Sequence, residues 1–143
     1  MEMIMNLICS CVGTIAFCIL FNIDKRYYPA CGFTGVMGWA CYLASVSIFS
    51  TAIATFIGAL VVMFLSKIFA KKLKCPMTVF LIAGIFPLIP GSSVYYTACY
   101  IAENNFQMAV QAGVEAAKIA LAIVAAINFA ALVPEKNFKR RLK

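Results

Sequence analysis

Residues 85–100 read IFPLIPGSSVYYTACY, with two prolines and a glycine inside an otherwise hydrophobic run. In a helix interior in water each proline costs about 3 kcal/mol and a glycine about 1 kcal/mol relative to alanine. Whether such a stretch ends a helix, kinks one or lines a path depends on the solvent around it. The rest of the chain answers that question. Of its 143 residues 64% are hydrophobic and only 12% are charged, with a mean hydropathy of +0.97. A soluble domain is about 45–50% apolar and about 25% charged, and a short chain leaves too much surface exposed to hide that excess in a core. The composition specifies an all-α integral membrane protein, a single membrane domain over residues 1–143.

Five spans account for the hydrophobic pattern, since a membrane helix needs about 20 mainly apolar residues. The first is 3–21. Glu2 ahead of it and the lack of a small-residue cleavage site argue against a signal peptide. The apolar stretch 32–70 is too long for one crossing and divides near Phe49-Ser50-Thr51 into spans of about 32–48 and 51–70. The fourth span, 77–100, holds the opening motif. The fifth is about 106–133, with Asn104-Asn105 as its start.

Charge sets the orientation. Five spans bring Lys25 and Arg26, then Lys67, Lys71, Lys72 and Lys74, and then the tail 134–143 to one face, which gathers eleven of the twelve basic residues. Basic loops stay in the cytoplasm, so the N-terminus is expected outside, and the C-terminus and its basic tail inside the cell membrane. The net charge of +7 is then a topology signal in contact with the lipid bilayer and does not imply nucleic acid. Histidine is absent and only five residues are acidic, which leaves no expected metal or cofactor site. The seven cysteines read as small apolar fillers.

Within the fourth span Pro87–Gly91 lies about 15–21 Å along a helix from Met77, near the membrane centre. Lipid tolerates broken backbone only where protein buries it or it lines a cavity. The expected arrangement is one half-helix ending near Phe86 and a second starting near Ser92, with Ser92 as its N-cap. Its free N–H groups and positive dipole end would then point inward, an arrangement that suits a carboxylate. Pro87, Pro90, Gly91, Ser92, Ser93, Tyr95, Tyr96 and Thr97 are the candidate substrate-binding residues on this element. The competing reading is a kink that only shapes packing.

The fifth span carries Lys118 at the depth of the break if the two halves run back to back. A charge at a membrane helix centre usually faces a cavity or a partner. Lys118 is therefore a further substrate candidate, and Glu115 one turn earlier makes either an internal ion pair with it or a coupling group. Asn128 reads as interhelical glue. Small-residue ridges follow at Ala112, Ala116 and Ala120, at Ala122, Ala126 and Ala130, and at Ala54 and Gly58 on span three. They favour close helix packing, and with it a partner chain or self-association.

Pro76-x-Thr78-Val79-Phe80, Gly84-Ile85-x-Pro87-Leu88-Ile89-Pro90-Gly91-Ser92 and Tyr95-Tyr96 resemble the signature of the threonine/serine exporter family. Ala54-Thr55-Phe56-x-Gly58-Ala59 resembles a second family segment. The likeness covers residues 3–134 and is nearest the family's short, YjjB-like subunit. It implies a secondary exporter of small carboxylates: threonine, serine or, in two-component members, succinate. It also implies a proton-gradient drive and a larger YjjP-like membrane subunit as partner. Ala83 stands where many relatives carry proline, and Phe86 where they carry an aliphatic residue; both departures bear on selectivity. Two other classes compete with the exporter. A non-transporting scaffold or regulatory subunit would use the ridges and leave the motif as a kink. An enzyme would need a nucleophile and a base in reach, and Glu115 is the one acid within a span.

Overall fold

The computed structural model describes residues 2–132, with side chains from residue 4 onward. The tail 134–143, with its basic residues, and the end of the expected fifth span lie outside the described residues. Within them the chain is helical throughout: α1 (Glu2–Leu20), α2 (Tyr28–Val46), α3 (Thr51–Leu73), α4 (Met77–Ile85), α5 (Gly91–Ala102) and α6 (Phe106–Leu132). Short 3-10 turns at Lys25–Tyr27 and Phe86–Leu88 complete it. α3 and α6 are each long and apolar enough to cross a membrane, and α4 with its 3-10 turn plus α5 forms a third apolar unit bent by 51°. The apolar stretch of α1, Ile4–Leu20, is shorter.

Helix ends follow from local chemistry. α2 starts at Tyr28, earlier than the apolar run begins, because Pro29 fits a first turn where no N–H is needed. Three helices close the same way. Asn22, Lys74 and Asn104 take φ values of 52°, 51° and 59°, and the N–H of the residue after each bonds a carbonyl five positions back: Ile23 to Cys18, Cys75 to Ala70, Asn105 to Tyr100. This left-handed closure satisfies carbonyls the helix leaves over. Asparagine tolerates it, and lysine does so at a cost.

α3 lies at the centre, packed on α2, α4 and α6, while α1 covers α2 and α4. The close approach is built on glycine. A methyl at Gly38 would stand 2.3 Å from Val62 Cγ2, one at Gly58 would stand 2.9 Å from the Gly38 carbonyl oxygen, and one at Gly84 would stand 2.7 Å from Thr34 Cγ2. The hydroxyls buried at this junction stay satisfied within their own helices, Thr14 donating to the Ser10 carbonyl, Thr34 to Ala30, and Thr55 to Thr51. Phe86 stacks on Phe17 of α1, which anchors the 3-10 turn against the bundle. Ala83 is fully buried inside α4, which continues past it without a break.

α6 packs on α3 and α5 and buries Ala109, Ala116, Ile119, Ile123, Ala126 and Ala130, of which Ile119, Ile123 and Ala126 share a cluster with Ala59 and Val62 of α3. Only Ala116 of the first expected alanine ridge is buried, and Ala120 is exposed. The reason is that α6 needs one face for α3, and its bulkier isoleucines share that face with the alanines. Asn128 is exposed and donates to the Val124 carbonyl of its own helix, so it does not bridge helices. Near the far end the Lys67 ammonium donates to the Ala130 carbonyl, tying the last turn of α6 to α3.

Candidate functional site

Helix α4 ends at Ile85, and Pro87 sits in the first turn of the 3-10 segment, where its missing N–H costs nothing. Ile89 is extended, and Pro90 at φ −76°, ψ 54° forms an inverse γ-turn whose Gly91 N–H donates to the Ile89 carbonyl at 2.7 Å. The Pro90 carbonyl already accepts from Val94, so α5 begins at Gly91 and Pro90 is its N-cap. The expectation of Ser92 as the cap is corrected: Ser92 lies inside the first turn, two residues too late to cap it. Among the described residues the N–H groups of Ser92 and Ser93 find no backbone carbonyl, as the opening of a helix dictates.

α5 packs on α6 and buries none of its residues. Thr97 lies against Gly113, where an added methyl would meet Thr97 Cγ2 at 3.6 Å, and its hydroxyl is spent on the Ser93 carbonyl at 2.7 Å. Between the two helices runs a groove of about 230 Å³ walled by Ser93, Tyr96 and Tyr100 from α5 and by Met108, Gln111, Ala112 and Glu115 from α6. Tyr96 stacks on Tyr100 with ring centroids 6.3 Å apart and touches Tyr95 edge-on, so the aromatic wall is continuous.

A second groove of about 550 Å³ opens on the other flank of α6, between it and the start of α3. Ser50, Thr51 and Ala52 form one wall, and Gln111, Glu115, Lys118 and Ile119 belong to the other. Gln111 and Glu115 border both grooves. Lys118 and Glu115 are both exposed to this space and are not paired with each other, so the internal ion pair does not form. With Gln111 they make a polar stripe at helical spacing down a helix that is otherwise alanine and aliphatic.

Of the candidates, then, the structure gathers Ser93, Tyr96, Glu115 and Lys118 around two adjoining grooves. Pro87, Pro90, Gly91, Ser92, Tyr95 and Thr97 line neither: the first four belong to the break and the start of α5, Tyr95 is exposed, and Thr97 packs toward Gly113 of α6. Gln111, Tyr100 and the Ser50-Thr51 edge escaped sequence reasoning. The period of Gln111, Glu115 and Lys118 was there to be found. The Ser50-Thr51 edge had no local signal, because it depends on how α3 docks against α6.

An all-helical chain with membrane-length apolar helices and a charged, hydroxyl-lined groove beside one of them has the construction of a multi-pass membrane transport protein. The family model described as Threonine/Serine exporter, ThrE, matches residues 6–133. The chain belongs to that family. No solved structure matches it. Membership supports a threonine/serine exporter role in a membrane and weighs against an enzyme.

Proposed function

We propose that the chain is the membrane subunit of a secondary exporter for small hydroxy amino acids, and that the solute passes along the grooves on either side of α6. The observation that carries this reading is the polar stripe Gln111, Glu115 and Lys118, with Glu115 shared by both grooves. A zwitterion offers one ammonium and one carboxylate. The unpaired Glu115 carboxylate suits the first and the Lys118 ammonium the second, while Ser93, Tyr96 and Thr51 supply hydroxyls for a solute side chain. A succinate-like dianion would bring a second negative charge against Glu115, so threonine or serine is the better fit.

In this reading α4 and α5 cross the cell membrane as one broken span. That makes five crossings with the N-terminus outside and the C-terminus in the cytoplasm, as Lys25, Arg26, Lys71, Lys72 and Lys74 favour. The bare flank of α5 suits a larger, YjjP-like membrane subunit. A non-transporting scaffold is the alternative, and one experiment separates the two. Cells loaded with labelled threonine, serine or succinate are followed for efflux with this chain alone, with the larger subunit, and with both when Lys118 is replaced by Met. Loss of threonine efflux on Lys118→Met at unchanged membrane abundance is expected. Efflux indifferent to that change makes the chain a scaffold.

A further inference from the structure

Among the described residues one buried side-chain donor or acceptor has no partner: the indole Nε1 of Trp39. Tryptophan can only donate there. A donor taken out of water without an acceptor loses its hydration and gains nothing in exchange, so such groups are rare and ask for an explanation.

Trp39 follows Gly38 on α2, at the level where the α2 backbone meets Gly58 of α3. Its ring packs on the core cluster that holds Ile85 and Leu88, from the approach to the break, together with Ile119 of α6. It also stacks on Tyr42 with ring centroids 4.9 Å apart. Ile119 is at once a member of this cluster and part of the wall of the larger groove. Ile119 thus links the cluster that Trp39 packs against with the wall of the larger groove.

We propose that Trp39 is a solute-binding residue on the inner continuation of the groove. When Ile119 and Leu88 part, its Nε1–H donates to a carboxylate oxygen of the passing amino acid, the same group that Lys118 meets further out. The state described here is then closed at this point, with the donor waiting for its acceptor. The inference rests on the exporter reading and adds to it a residue and a gate.

Trp39→Phe keeps the ring and its packing while removing the N–H. Threonine efflux should then fall at least ten-fold at low internal threonine, read as a raised KM. The melting temperature of the purified chain should stay the same or rise, because the unsatisfied group is gone. Trp39 is the only tryptophan in the chain, so the intrinsic emission of the purified protein in lipid nanodiscs reports this site directly. A saturable emission change on adding threonine is expected. Normal efflux by Trp39→Phe would overturn the proposal. So would a lower melting temperature with efflux reduced only in step with abundance, which would mean a fixed water satisfies the indole. Constant emission while threonine still raises the melting temperature would overturn this inference and leave the exporter reading intact. A native protein that exports no threonine in any arm would take both down.

Discussion

The glycines at the centre of the bundle and the glycine of the break have opposite surroundings. Gly38, Gly58 and Gly84 stand where a single added carbon would meet a neighbour at 2.3, 2.9 and 2.7 Å, whereas a methyl at Gly91 would meet nothing within 4 Å. Gly91 has no positive φ to explain it either. The first group serves packing: with lipid on the outside there is no hydrophobic drive between helices, so contact area and close approach hold them together. The second lies in a region held by α6 alone, where polar side chains line open space. The α2–α3–α4 junction is thus the tightly packed part of the molecule, and α6, with α5 on one side and the start of α3 on the other, holds the polar groove-lining side chains.

Substitutions can break or sharpen that contrast. The largest expected effect is at Gly58, where the obstacle to a methyl is the Gly38 backbone oxygen and no rotamer change relieves it. Gly58→Ala should cost about 1–3 kcal/mol of stability, read as a lower melting temperature in detergent and reduced membrane abundance. Next come the charges of α6. Glu115→Gln should cut threonine efflux about ten-fold, a loss of about 1.4 kcal/mol in interaction, with the melting temperature unchanged because the side chain is exposed and unpaired. Gly91→Ala should leave the fold intact or stabilise it by about 0.4–1 kcal/mol by restricting the unfolded chain. A drop in efflux from that variant would mean that solute approaches the α5 backbone. The smallest effect is expected at Lys74, whose φ of 51° suits glycine. Lys74→Gly should raise stability by up to about 1 kcal/mol, measured as a small upward shift in melting temperature.

The membrane character, the helical content and the turn before Thr51 were all legible in composition and run length, because lipid demands long apolar helices and little else. The change of helix between Ile85 and Gly91 falls where the two prolines and the glycine stand, since both residue types act locally. The cap was read two residues late: the Pro90 carbonyl opens α5 before Ser92 can, and the Gly91 N–H is taken by the γ-turn. Which alanines of α6 would be buried was not legible, because Ala112, Ala116 and Ala120 form as regular a ridge as Ala126 and Ala130. Only the docking of α6 on α3 chooses between them. The same docking sets Ser50 and Thr51 opposite Lys118, and no local pattern signals it. Nothing local singled out Trp39; its N–H is left without an acceptor only where the ring packs on the core cluster.

The most direct test of the central claim, that the grooves beside α6 carry a zwitterionic solute, is labelled threonine efflux from loaded cells expressing Lys118→Met or Gly113→Ala at matched membrane abundance. Gly113 lies on the same helix but faces Thr97 of α5, with ordinary van der Waals room for a methyl. Efflux abolished by the lysine change and kept by the glycine change is the expected result. Equal efflux from both variants and the native chain would contradict the account, leaving a helical membrane protein of this family whose solute passes elsewhere.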